Sequence, residues 1–321
     1  MTRKYTFYTL LVIFSILIST VQVAKAQSDS LVKPIVELRG NSPIINPNAL
    51  NSFFRRLAAI ETRNATRPVV IMQYGDSHTK ADLFTGSVRR SLQSEFSLTG
   101  NPKQAAMQPT AHGSEAIVYQ QLGVNGARAK KMQEIANSDS FVRSVGQRIP
   151  DLIVLAYGTN EVTDNDWTVD SYERLFEDIV TRCRAAAPQA SVLIMGPPDR
   201  AVAGNGGWSS VRRMSAMIDA QRRAALKAGA AYWSACEAMG GAGSMTAWFS
   251  KGLAQPDHVH LTVNGYYRLG SLFFRDLMET YQRAGGQKIK RTGPVTAPGK
   301  TLSSADLNLM RGVPIMSNSR Y

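Results

Sequence analysis

Val69-Val70-Ile71-Met72-Gln73-Tyr74-Gly75-Asp76-Ser77-His78-Thr79-Lys80 is an apolar, β-branched run that stops at a glycine and passes at once into small polar residues. Helical spacing follows, with Phe84, Val88, Leu92 and Phe96 on one face. Strand, tight polar turn and helix is the geometry that lifts one side chain above the C-terminal edge of a parallel sheet. Helix N-termini are electropositive there, and ligands of α/β folds bind at that edge. Ser77 is therefore a candidate nucleophile. The plainer alternative is that Gly-Asp-Ser is turn chemistry that caps a helix.

On either side of this stretch the chain alternates. Strand-like runs stand at Val69–Tyr74, Ala116–Gln121, Leu152–Tyr157, Val192–Met195 and Ala230–Trp233. Helical patterns stand at Thr85–Phe96, Arg128–Ala136, Val169–Ala187, Ser209–Ala228 and Val263–Arg283. Strands separated by helix-length segments imply right-handed βαβ units, hence a five-stranded parallel sheet with helices on both faces. Asn48 is placed to cap a short helix carrying Leu50, Phe53, Phe54 and Leu57. Ser97–Ser114 reads as a long loop, and the glycine clusters Gly204–Gly207 and Gly240–Gly243 read as loops on the same rim. One domain, 48–284, accounts for these elements.

The ends are of different composition. Arg3 and Lys4 precede an apolar core from Leu10 to Ile18, and Ala24-Lys25-Ala26 offers a small-x-small cleavage site. Residues 1–26 are read as a secretory signal peptide, which predicts export to the periplasm or the medium and no membrane insertion after cleavage. An uncleaved anchor is the rival. Residues 27–47, broken by Pro34, Pro43 and Pro47, predict an extended leader outside the core. Residues 285–321 are polar and read as a flexible basic tail.

The formal net charge is +13 over 321 residues. Arg3, Lys4 and Lys25 belong to the signal, and Lys288, Lys290, Arg291, Lys300, Arg311 and Arg320 stand against Asp306 alone in the tail. No basic stretch is interleaved with aromatics as a base-stacking surface requires, so no nucleic-acid partner is expected. Cys183 and Cys236 are predicted to be buried free thiols. No zinc-ligand spacing occurs, so no metal and no cofactor are expected.

A serine nucleophile needs a base and a group that orients the base. Pro256-Asp257-His258-Val259-His260 ends just ahead of the last predicted helix. In such a turn Asp257 can reach the Nδ1 of His260 while Nε2 faces outward; the plainer alternative is a turn residue and a helix-entry group. His258 is expected to point elsewhere. Asp151-Leu152-Ile153-Val154-Leu155-Ala156-Tyr157-Gly158-Thr159-Asn160-Glu161 again runs from strand into glycine, and puts the Asn160 amide on the rim of Ser77. In Leu122-Gly123-Val124-Asn125-Gly126-Ala127 a glycine would bring a backbone N–H to the same place.

Gly75-Asp76-Ser77-His78, Gly126, Gly158-Thr159-Asn160-Glu161 and Asp257-x-x-His260 together resemble the signature of the SGNH hydrolases, the GDSL-like esterase superfamily. The resemblance spans Val69 to Arg283 and implies a flavodoxin-like three-layer α/β/α sandwich. It implies Ser77 as nucleophile, His260 as base and Asp257 as its partner. The implied oxyanion donors are the Ser77 N–H, the Gly126 N–H and the Asn160 side chain, with Gly123 a rival for the second. Two positions depart from the common pattern: His78 replaces leucine, and Glu161 stands where many members have aspartate. These variants, with Thr79, Phe84-Thr85-Gly86, Asn125-Gly126-Ala127 and Gly196-Pro197-Pro198-Asp199, resemble the branch that de-O-acetylates bacterial peptidoglycan. The function expected is an exported serine acetylesterase acting on an O-acetylated polysaccharide. The alternatives are a lipase or lysophospholipase, an O-acetyltransferase, and an inactive wall-binding module.

Overall fold

The computed structural model describes residues 43–96 and 116–286. The signal segment, the leader up to residue 42, the Ser97–Ser114 loop and the tail beyond Gly286 lie outside those residues.

A 3-10 turn at Pro47–Leu50 leads into α1 (Asn51–Glu61), β1 (Val69–Gly75), α2 (Ser77–Lys80), α3 (Leu83–Glu95) and β2 (Ile117–Gly123). Then come α4 (Ala129–Ala136), α5 (Asp139–Arg148), β3 (Leu152–Ala156), α6 (Val169–Ala186) and β4 (Ser191–Gly196). The hairpin β5 (Ala201–Gly204) and β6 (Gly207–Ser210) precedes α7 (Met214–Ala228), β7 (Ala231–Ser234), α8 (Ala235–Met239), α9 (Ser244–Phe249) and α10 (Val263–Arg283).

Five strands form one parallel sheet in the order β2-β1-β3-β4-β7. Consecutive strand residues face opposite ways, and here both faces are apolar. Ile71, Val154 and Leu193 meet α1, α3 and α10, while Met72, Ile153 and Ile194 meet the helices α4 to α7. That double burial is why the strands read as continuous hydrophobic runs. The result is the three-layer α/β/α sandwich that the sequence implies.

Register brings the loops together. Gly75 pairs with Gly123 on one side and with Ala156 on the other. The turns after β1, β2 and β3 therefore leave the sheet at one level, at the point where the strand order reverses.

Several details differ from the sequence expectation. The end of the leader is core rather than outlying: Ile44 is fully buried, and Ile45 forms an antiparallel bridge with Tyr232. Asn48 does not cap the first helical segment; Asn46 holds the left-handed position before it and donates from Nδ2 to the Ala230 carbonyl at 2.9 Å. Ser209 belongs to β6, so α7 starts only at Met214. Helix α5 has no counterpart among the predicted elements. It presents only Phe141 and Val145 to the core, a single i, i+4 pair that leaves little periodicity to read. Cys183 and Cys236 are free and buried, as expected.

Candidate active site

The turn after β1 is built around Asp76. Its carboxylate accepts the His78 N–H at 3.0 Å and so caps the single turn of α2 that carries Ser77. Gln73, buried on β1, donates to the Thr79 hydroxyl at 3.0 Å and accepts from Tyr119 at 2.6 Å, fastening the turn from below.

Ser77 Oγ lies 2.9 Å from His260 Nε2, and His260 Nδ1 lies 2.7 Å from Asp257 Oδ2. Asp257 Oδ1 also accepts the backbone N–H groups of Val259 at 3.0 Å and His260 at 2.9 Å. Burial alone would raise the Asp257 pKa, but the His260 ring and the two N–H groups outweigh it and hold the carboxyl at about 2. An ionised carboxylate can only accept, so Nδ1 carries the ring proton of the neutral imidazole. Nε2 then has a lone pair for the Ser77 hydroxyl proton. Thr262 caps α10 by accepting the Gly265 N–H at 3.2 Å, which fixes the entry of the loop that bears His260.

The donors fall as follows. The Ser77 and Gly126 N–H groups have no partner among the described residues. The Gly123 N–H donates to Gln121 Oε1 at 2.7 Å, so of the two glycines only Gly126 keeps a free donor. Asn160 spends one amide hydrogen on the Ala127 carbonyl at 2.9 Å, which ties the third loop to the second and leaves its other hydrogen unspent. Glu161 does not face the rim. It is buried and accepts the Ala129 N–H and the Tyr172 hydroxyl, both at 2.8 Å, so it anchors α4 and α6.

His258 packs its ring against Trp208 and Phe249 and has no hydrogen bond to the triad side chains among the described residues, in keeping with its expected place outside the triad. His78 has a place that its spacing did not reveal. Its Nδ1 meets the Tyr266 hydroxyl at 2.9 Å, and its ring centre lies 5.2 Å from that of His260. The two partners are 188 residues apart, so no local sequence signal connects them. Arg200 was likewise missed: it is half-buried and donates to the Thr159 carbonyl at 2.7 Å, beside Asn160.

Burial, reinforced by the nearby His260, pushes the His78 pKa down from 6.5 to about 3. The unfolded chain then takes up a proton that the native protein refuses. His78's contribution to stability is complete above pH 6.5 and is lost as the pH falls toward 3. Within that window one proton changes stability by about 1.4 kcal/mol per pH unit. Asp76 acts in the opposite sense, because burial raises its pKa from 3.8 to about 6, and it is common to wild type and variant. In urea unfolding between pH 7 and 5, His78→Leu should therefore gain on the wild type by about 1.4 kcal/mol for each unit below 6.5. A difference independent of pH would mean that native His78 takes up the proton.

Comparison with known proteins gives the family and the fold. Residues 74–268 match the model of the GDSL-like Lipase/Acylhydrolase family. No curated protein matches the chain. Among solved structures the chain resembles a peptidoglycan O-acetylesterase with a TM-score of 0.64 and 20% identity, covering 75% of this chain and 99% of that one. A lipase/acylhydrolase from Enterococcus faecalis gives 0.45 at 19% identity, covering 70% of this chain and 100% of that one. An acetylxylan esterase from Geobacillus stearothermophilus gives 0.48 at 15%, covering 66% and 96%. The family match spans more than half of the 321 residues and starts at the residue before Gly75-Asp76-Ser77, so the chain belongs to the GDSL-like lipase/acylhydrolase family and is a carboxylic ester hydrolase.

Proposed function

We propose that the protein is an exported esterase that removes O-acetyl groups from peptidoglycan or another extracellular polysaccharide. The observation that carries the chemistry is the unbroken chain Ser77 Oγ, His260 and Asp257, at 2.9 and 2.7 Å. In this reading His260 Nε2 takes the Ser77 proton as Oγ attacks the acetyl carbonyl. The oxyanion is held by the N–H groups of Ser77 and Gly126 and by the free amide hydrogen of Asn160. The bond to the sugar oxygen then breaks, and that oxygen leaves with the proton from His260. Water, deprotonated by the same nitrogen, attacks the acetyl-serine. Acetate is released and Ser77 regains its proton.

Two observations favour an acetylated polymer over a long-chain lipid. The blocks around His78, Gly126, Glu161 and Asp199 resemble the peptidoglycan-deacetylating branch, and the fold is similar over 99% of a peptidoglycan O-acetylesterase. Export rests on the composition of residues 1–26. The test is acetate release from O-acetylated peptidoglycan and acetylxylan by residues 27–321, alongside a series of p-nitrophenyl esters. Acetate release, with activity falling steadily beyond short acyl chains, is expected. A preference for chains of eight or more carbons would overturn the reading in favour of a lipase, and acceptor sugars that accelerate loss of acetyl groups would favour a transferase.

A further inference from the structure

Trp208 and Phe249 are both large, aromatic and about two-fifths exposed, and both rest on the same residue, His258. Trp208 stacks on its imidazole with ring centres 3.9 Å apart and planes only 14° apart; the Phe249 ring lies 4.5 Å away. One face of the indole is thus covered, so its exposure belongs to the opposite face and the edges.

Two exposed rings could be no more than a clamp on the histidine. The supports argue for more. Asp199 is fully buried, and its Oδ2 accepts both the Ser210 hydroxyl at 2.8 Å and the Met245 N–H at 2.9 Å. One carboxylate therefore fixes the end of β6 and the start of α9, the two elements that carry the rings. The Gly243 N–H donates to Ser210 Oγ at 2.7 Å, and the Ala201 N–H donates to the His258 carbonyl at 3.0 Å. Trp208 is held on a rigid frame before any ligand arrives, which lowers the ordering cost of binding. The frame also belongs to the active-site rim. Asp257 immediately precedes His258, and His260 follows two residues on, at most about 7 Å along the chain.

We infer that Trp208, with Phe249 beside it, is a stacking platform for a pyranose ring of the polysaccharide next to the acetylated sugar. The axial C–H bonds of a pyranose present a flat, weakly positive face, and the face of an indole is negative. A flat aromatic surface with no cation–π partner among the described residues suits that ligand better than a phosphate or a peptide carboxylate. The inference deepens the polysaccharide reading and rests on it, but binding can be measured without turnover.

The experiment titrates chitotetraose and xylotetraose, by calorimetry, into Ser77→Ala protein and into the same protein carrying Trp208→Ala or Trp208→Phe. Ser77→Ala should bind at least one tetrasaccharide. Trp208→Ala should weaken that binding about tenfold, as truncation of a central aromatic contact does, and Trp208→Phe should keep most of it. Equal affinity with and without Trp208, or no binding of either sugar to Ser77→Ala, would overturn the platform. A second measurement separates binding from loop support. For Trp208→Ala alone, kcat/KM on an acetylated polymer should fall about tenfold relative to kcat/KM on p-nitrophenyl acetate. An equal fall on both would make Trp208 a prop for the triad loop and would also overturn the platform. If the wild type releases no acetate from any polymer, the reading as a polysaccharide O-acetylesterase fails, yet the binding result still stands or falls by itself.

Discussion

Ser77→Ala should hydrolyse acetyl esters about 10⁴-fold or more slowly than wild type, and His260→Ala should lose nearly as much. Both follow from one contact, the 2.9 Å bond between Ser77 Oγ and His260 Nε2. Without the hydroxyl there is nothing to acylate. Without the imidazole the hydroxyl keeps its proton at any pH the protein tolerates. Because the two groups act as a unit, the double variant should be no slower than the slower single one. The residual rate would come from the oxyanion donors, which both substitutions leave in place. Single-turnover kinetics with p-nitrophenyl acetate check this directly. Losses that multiply in the double variant would mean that His260 acts on some other nucleophile.

The second large effect concerns the fold beneath the site. An alanine methyl at Gly123 would stand 2.3 Å from the Lys80 nitrogen and 2.8 Å from both Lys80 Cα and the Thr79 carbonyl carbon. All three atoms are backbone of α2, so no side-chain rotation relieves the clash. Strand β2 or the Ser77 turn must move. Gly123→Ala should cost about 3 kcal/mol or more, at the upper end of what overpacking does, and should lower activity along with stability. Gly126 is the control. It has φ +70° but nothing within 4 Å of an added methyl, so Gly126→Ala should cost only about 1 kcal/mol of left-handed strain. Urea midpoints for the two variants measure the difference; equal midpoints would mean that β2 yields without strain. The pair also separates the two candidate glycines of the second block, one as a point of close packing and the other as an open donor.

Most of the architecture was legible because both faces of the sheet are buried. Val69–Tyr74, Leu152–Tyr157 and Val192–Met195 are apolar without interruption, and the long helices between them keep a clear period. Hairpin β5–β6 was not legible. Of its residues Ala201 alone is buried in the core, Val202 and Trp208 are exposed, and glycines dominate its turn. The same holds for the residues around the site. Ser77, Asp257 and His260 could be named because a triad needs those residue types, and two of them stand three apart in a turn. His78 with Tyr266, and Trp208 with His258, are contacts between distant segments with no shared pattern. The end of the leader misled for a related reason. Pro43 and Pro47 mark an extended chain, and an extended chain can still pair.

That pairing has a consequence for how the sheet ends. Strand β7 lies at the margin of the sheet, and Ala231-Tyr232-Trp233-Ser234 would otherwise offer its outer N–H and C=O groups to any passing chain. Ile45 donates to the Tyr232 carbonyl at 2.9 Å and accepts its N–H at 3.0 Å, so one residue of the incoming segment occupies the place where a foreign strand would add. Natural proteins blunt open edges in such ways because an unguarded one templates aggregation. The short stretch before α1 thus acts as a stopper at the middle of that margin, where it takes up both outer backbone groups of Tyr232.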